Sequence, residues 1–284
     1  MQLFKKNKTL VGAYIFFLII SLIASTQLDA QTIQPKDSTA LQKDSTALVA
    51  LYNSTDGPHW KENSGWLSGP IKMWYGIYLN SRLTRVTSIA LSDNNLNGTI
   101  PSEIGKLTGV RNIMLDNNQL IGTIPSEISN ISNLITLNLY KNELSGNIPS
   151  SISKLTYLTA LNIQYNHFNF SDLYSSSFSP LSQSFVYAPQ KKLPEPTLSQ
   201  DGDEITLAID EDMASYHIVW YVNGSPVEEN NSTFYTFIPT ETTTVYVKIT
   251  DLGYTNLTLE TNPVIIEPAQ QPKDTTPPVV VTQN

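Results

Sequence analysis

The chain contains no cysteine. Disulfides, thiolate metal ligands and thiol nucleophiles are therefore excluded, and stability has to come from packing. Charge is sparse too. Acidic and basic side chains make up 15% of the 284 residues, and 25 acidic against 17 basic ones leave a net charge of −8. No basic stripe follows Lys8, which disfavours nucleic acid as a partner, because counterion release needs clustered Lys and Arg. There are only three histidines, His59, His167 and His217, too scattered for a metal cluster or a shared catalytic site. No nucleophile elbow, phosphate loop, zinc-protease helix or dinucleotide turn is present. The sequence thus predicts a protein without catalytic residues, metal or cofactor. Asp210-Glu211-Asp212 offers loop oxygens that calcium accepts, although such a run is more often a solvated turn.

Long apolar runs are missing after the N-terminus. There, Lys5, Lys6 and Lys8 precede an apolar stretch from Leu10 to Ala24, the charge step of a signal peptide. The stretch is shorter than the ~20 residues of a spanning helix, and Ala30 offers a small residue for cleavage before Gln31. The expectation is an exported chain, secreted or at the cell surface, with residues 1–30 as signal and no membrane span once it is removed. An uncleaved anchor is the competing reading.

What the chain does have is internal repetition. Val86, Val110, Leu134 and Leu158 open similar blocks 24 residues apart. The first block places apolar residues at Val86, Ile89, Leu91, Leu96 and Ile100, the second at Val110, Ile113, Leu115, Leu120 and Ile124, and the third at Leu134, Leu137, Leu139, Leu144 and Ile148. The fourth keeps Leu158, Leu161, Ile163 and Phe168, then departs at Asn169-Phe170-Ser171. Alternating residues such as Ile113 and Leu115 point to one side of a short strand, so stacked copies build a parallel sheet over a continuous core. Gly98, Gly122 and Gly146 recur with Pro101, Pro125 and Pro149, where proline's fixed φ and missing N–H suit an extended return segment. Asn94, Asn118, Asn142 and Asn166 follow each strand. They resemble ligands on paper, but an amide donates and accepts at once, so a structural Asn ladder that satisfies buried backbone groups is the preferred reading.

The run Leu96-Asn97-Gly98-Thr99-Ile100-Pro101-Ser102-Glu103-Ile104-Gly105 and its two successors resemble plant-type leucine-rich repeats, and most of all those of secreted bacterial proteins. The resemblance covers about residues 37–190. It implies an α/β-type solenoid with a short parallel sheet and a mostly irregular convex side, and protein–protein interaction as the activity. Plant relatives usually staple the first cap with cysteines; their absence here favours the bacterial group. Ala47–Tyr52 reads as a short amphipathic helix in that cap, and Trp60, Trp66 and Trp74 as its packing, because a solenoid's first turn has no neighbour to cover it.

Beyond the repeats, Pro189, Pro194 and Pro196 mark a linker. Ile205, Leu207 and Ile209 then alternate, as do Ile218 with Trp220, and Val245, Val247 with Ile249, while Asn223-Gly224 signals a turn. This pattern predicts an all-β sandwich, and Tyr216–Gly224 resembles the Trp-bearing strand of immunoglobulin-like domains, without their disulfide. The predicted organisation is a signal (1–30), a linker (31–40), an N-terminal cap (41–85) and repeats (86–109, 110–133, 134–157 and a degenerate 158–170). A C-terminal cap (171–190), a linker (191–196), the sandwich (197–267) and a disordered tail (268–284) follow.

The framework leaves certain positions free to vary: Ala90, Met114, Asn138, Asn162 in one column, Ser92, Asp116, Tyr140, Gln164 in the next, and Asp93, Asn117, Lys141, Tyr165 beside it. Variation on a rigid scaffold is what recognition requires. Met114, Asp116, Asn138, Tyr140, Lys141, Gln164 and Tyr165 are the candidate ligand-binding residues, with stacking area beside hydrogen-bonding groups. A protein or peptide is the expected partner. A glycan, bound as the targeting region of a polysaccharide-degrading or sensory surface system, is the alternative. No motif specifies an oligomeric state.

Overall fold

The computed structural model describes residues 39–174, 185–227 and 231–268. The expected signal, most of the first linker, the middle of the C-terminal cap and nearly all of the tail lie outside the described residues. The chain divides into two compact units, one ending at Tyr187 and one starting at Ala188.

The first unit opens with helix α1, Thr39–Ser54, longer than the sequence predicts and begun inside the segment read as a linker. Leu41, Ala47, Leu48 and Leu51 are buried on one side of it. On that same apolar face lies Asp44, whose carboxylate takes Nε and Nη2 of Arg85 at 3.0 and 3.1 Å and the backbone N–H of Val86 at 2.9 Å. A bidentate arginine and a backbone donor compensate the buried charge, and they fasten the cap to the first repeat. Tyr52, Trp60, Trp66 and Trp74 form a contiguous aromatic cluster, with Trp66 stacked on Tyr52 at 5.6 Å and 4.8 Å from Trp74. All three tryptophans are buried.

From there the chain winds into turns. A six-stranded sheet has the order β1 (Ile77–Leu79), β2 (Val86–Ala90), β4 (Asn112–Met114), β6 (Thr136–Asn138), β8 (Ala160–Asn162), β9 (Phe185–Val186). The β1–β2 pair is antiparallel and every later pair is parallel. Ile89, Ile113, Leu137, Leu161 and Phe185 are register partners, and all are buried. A second, three-stranded parallel sheet joins β3 (Asn97–Thr99), β5 (Gln119–Gly122) and β7 (Glu143–Leu144). Gly98, Gly122 and Gly146 in or beside these strands have φ of 133, 77 and 75°, so the recurring glycine is a backbone requirement. Short 3-10 turns at Ser102–Lys106, Ser126–Asn130 and Ser150–Lys154 then bring Ile104, Ile128 and Ile152 into the core. A first repeat thus buries Val86, Ile89, Leu91, Leu96, Ile100, Ile104 and Leu107, each contributing roughly 1.5–3 kcal/mol of burial. Helix α2 (Phe170–Tyr174) replaces the next turn, burying Phe170 and Leu173.

The Asn residues lie between turns. Asn118 accepts from the N–H of Asn94 and of Leu96, both at 3.0 Å, and donates to the carbonyls of Leu91 and Leu115. Asn142 accepts from Leu120 N–H and donates to Leu115 and Leu139; Asn166 accepts from Leu144 N–H and donates to Leu139 and Ile163. Asn94, at the start, turns to the cap, bonding both backbone groups of Glu62.

The second unit is all-β, with antiparallel pairing between its strands. One sheet joins β10 (Thr197–Asp201), β11 (Glu204–Ala208) and β14 (Phe234–Phe237). The other has the order β13 (Ser225–Pro226), β12 (His217–Val222), β15 (Thr243–Thr250), β16 (Thr258–Glu260), with β17 (Val264–Ile266) also on β15. Asn223-Gly224 forms the β12–β13 turn, both residues at positive φ. Trp220 is buried, stacks on Tyr235 of the other sheet at 5.9 Å and donates to Ser232 O. Leu193, assigned to a linker from its composition, bonds the backbone of Glu260 and Asn262, so the unit begins earlier than the sequence pattern suggests.

Candidate functional site

The candidate residues lie on the open face of the six-stranded sheet. Ala90, Met114, Asn138 and Asn162 are register partners that alternate with the buried Ile89 set, so their side chains stand on the face opposite the core. Beyond each strand the chain continues for three residues before the ladder Asn, and there the second and third columns fall. Asp93, Asn117, Lys141 and Tyr165 have φ of 51, 57, 53 and 55°. Asp and Asn enter this left-handed region readily, whereas Lys and Tyr do so at a cost. The backbone demand is the same on every turn; on two turns the occupant is not the residue that best meets it.

Two groups form on this face. Asp116 accepts from Ser92 Oγ at 2.6 Å and Asn138 Nδ2 at 2.9 Å, which ties three successive turns together. Asp93 accepts from Lys61 Nζ at 2.7 Å and Asn117 Nδ2 at 2.8 Å, and the Lys61 ammonium holds the Asp93 carboxyl below its ordinary range, with Lys141 and Asn117 contributing less. On the later turns Tyr140 and Tyr165 meet edge to face, ring centroids 5.3 Å apart, in the favoured geometry for aromatic pairs. Tyr165 keeps 41% of its surface exposed. The backbone N–H of Tyr140 bonds Asn138 Oδ1 and that of Gln164 bonds Asn162 Oδ1, so polar side chains fix the backbone beneath the aromatic pair.

Of the seven candidates, the structure brings Asp116 to Asn138 and Tyr140 to Tyr165. Met114 and Lys141 stand on the same face without a direct bond to either pair, and Gln164 follows Asn162 at the end of β8. Sequence reasoning passed over a further column, Ser88, Asn112, Thr136 and Ala160, which shares this face in register, and Tyr78 of β1, exposed opposite Ser88. The repeat alignment already held the signal, two positions before the Ala90 column. Where β2 and β4 begin, Arg111, Asn112, Asn133, Ser88 and Gly109 line a shallow cavity of about 520 Å³. Among the described residues no cluster of His, Asp and Glu suits a metal ion, and no helix is long and apolar enough to cross a membrane.

A family model, Leucine Rich Repeat, matches residues 85–107 and 133–155. No curated protein matches the chain. Among solved structures, the chain is similar to one in the BIR3–SERK2 complex of Arabidopsis thaliana, at 26% identity over 53% of this chain and 84% of that one, with a TM-score of 0.43. It is also similar to the ectodomain of the Arabidopsis receptor kinase SOBIR1, at 23% identity over 54% and 84%, TM-score 0.37. A third similarity is to the Arabidopsis receptor kinase HAESA, solved with the peptide hormone IDA and the co-receptor SERK1, at 28% identity over 44% and 22%, TM-score 0.41. Within the first unit, the first and third turns, residues 85–107 and 133–155, are thus leucine-rich repeats.

Proposed function

We propose that this chain is an exported, non-enzymatic recognition or adhesion protein that binds a protein or peptide through the open face of its repeats. Tyr140 and Tyr165 are the anchors; Met114, Asp116, Asn138, Lys141 and Gln164 surround them. In this reading the N-terminal segment is a cleaved signal, the chain acts at or beyond the cell surface, and the second unit is an immunoglobulin-like spacer or second contact module. The Trp220 core and the two antiparallel sheets support that last assignment.

One observation carries the reading. An aromatic pair, with Tyr165 exposed and Tyr140 half-buried, sits on a backbone fixed by the half-buried amides of Asn138 and Asn162, with Tyr165 itself in a left-handed conformation unfavourable to it. Backbone strain of this kind costs about 1–3 kcal/mol per residue and gathers where a side chain has a task. Strands ~4.8 Å apart give five turns a width of roughly 20 Å, so the footprint is small and affinity is modest unless neighbouring modules add to it.

The test is a selection from a random peptide library on the mature chain, run beside a glycan array. Selected peptides are expected to lose at least tenfold in affinity with Tyr140→Ala and with Tyr165→Ala, since truncating a central aromatic anchor typically removes about 2 kcal/mol. Ligands that bind both variants like the wild type overturn the assignment of the patch, and ligands found only among glycans overturn the partner class.

A further inference from the structure

The cavity at the start of β2 and β4 is not part of the aromatic patch. Apart from Gly109, the residues around it carry polar side chains, and none is aromatic. Arg85 and Arg111 both border it, but their electrostatic situations differ. Arg85 is neutralised by the buried Asp44 and also bonds Thr108. Arg111 is exposed and forms no ion pair among the described residues, in a chain whose net charge is −8.

Beside Arg111 stand two neutral donors. Ser88 and Asn112 face each other across the β2–β4 pair in exact register, both half-buried on the open face. Asn133 lies at the rim, its amide held by a bond to Thr108 O. The position one residue before each block opens is occupied by Arg85, Gly109, Asn133 and Tyr157 in turn; Gly109, against which Val86 O and the Arg85 side chain pack closely, lies on the wall of the cavity between Arg85 and Asn133. A guanidinium, a hydroxyl and a primary amide around one concavity are a set of donors with a single positive charge. Such a set matches a planar carboxylate, which accepts two parallel N–H bonds from the arginine fork and keeps lone pairs for the neighbours.

We infer that Arg111, Asn112 and Ser88 form a second subsite that takes the carboxylate of an acidic side chain on the bound peptide. The inference rests on the peptide reading above for its partner and on the cavity alone for its chemistry. With no aromatic face for a sugar ring to stack on, the lining suits a carboxylate carried on a flexible chain better than a uronate ring.

The subsite is tested with small probes that ignore the aromatic patch. The mature chain, labelled with ¹⁵N, is titrated with N-acetyl-aspartate N-methylamide, its asparagine counterpart and trigalacturonate, following Arg111 Nε–H and the Asn112 and Asn133 side-chain amides. The aspartate probe is expected to shift these signals saturably, and the asparagine probe at least tenfold less tightly. Arg111→Gln is expected to weaken the aspartate probe at least tenfold. Arg111→Lys should give an intermediate loss, because an ammonium keeps the charge and loses the fork. The double variant Tyr140→Ala, Tyr165→Ala should bind the probe like the wild type, so failure of the aromatic patch and failure of this subsite are separately visible. No shift, equal binding of the two amino-acid probes, or an unchanged Arg111→Gln variant overturns the subsite. Tighter Arg111-dependent binding of trigalacturonate than of the aspartate probe overturns the peptide assignment.

Discussion

Replacing Asn142 by Ala isolates one rung of the amide ladder, and the bonds around it set the size of the effect. Asn142 is fully buried. Its Nδ2 donates to the carbonyls of Leu115 and Leu139, but Leu115 also accepts from Asn118 and Leu139 from Asn166. Both carbonyls therefore keep a partner after the substitution. The N–H of Leu120 does not, because its acceptor is Asn142 Oδ1 at 3.0 Å. One orphaned buried donor costs about 1–3 kcal/mol, and the space left by the amide adds about 1 kcal/mol, so the total is about 2–4 kcal/mol. Asn94→Ala provides the internal comparison. Its bonds go to the half-buried backbone of Glu62 in the cap, where water replaces part of what is lost, and about 1 kcal/mol is expected. Urea unfolding followed by the fluorescence of the Trp60, Trp66 and Trp74 cluster, at a slope of about 2 kcal/mol per molar, should move the midpoint down by about 1–2 M for Asn142→Ala and by about 0.5 M for Asn94→Ala. A shift for Asn142→Ala no larger than that for Asn94→Ala refutes the ladder argument.

Lys141→Asn should stabilise the chain by about 0.5–1 kcal/mol by placing a left-handed-tolerant residue at φ 53°; a thermal midpoint raised by about 1–4 °C checks it, and an unchanged or lowered midpoint contradicts it. Asp93, held below the ordinary aspartate range by Lys61, should titrate upward in Lys61→Met when its carboxyl carbon is followed by NMR. The sign is that of a depressed carboxylate: the pair's contribution is present above the unfolded-state value near pH ~4 and fades as pH falls through the lower folded value. An Asp93 that titrates identically with and without Lys61 would show that the ion pair does not act in solution.

The core of the repeats was legible in the sequence because burial there follows a strict 24-residue spacing. Leu158 is a partial exception: it matches the apolar skeleton yet stays half-exposed, while α2 replaces the regular turn that would have followed. Only the later part of helix α1 shows in the sequence, because the charged Asp44 interrupts its apolar face, and only the three-dimensional pairing with Arg85 makes that charge compatible with burial. The second sheet, β3-β5-β7, had no period-two signal, since Asn97-Gly98-Thr99 and its successors alternate too briefly. For the site, the variable columns could be read from the alignment, but the meeting of Tyr140 with Tyr165 depends on the left-handed turn that carries one column toward its neighbour. The Arg111 cavity was not legible. Its wall joins residues of successive turns to Asn80, which the antiparallel β1 brings beside them, and no spacing in the sequence marks that meeting.

The claim that recognition occurs on the open face is tested most directly by mapping where a selected peptide protects the chain from amide hydrogen exchange. The account predicts slowed exchange in residues 138–141 and 162–165, in the turns that carry Tyr140 and Tyr165, with the second unit unchanged. Protection confined to residues 197–267, or to the 3-10 turns on the opposite side of the repeats, would contradict it.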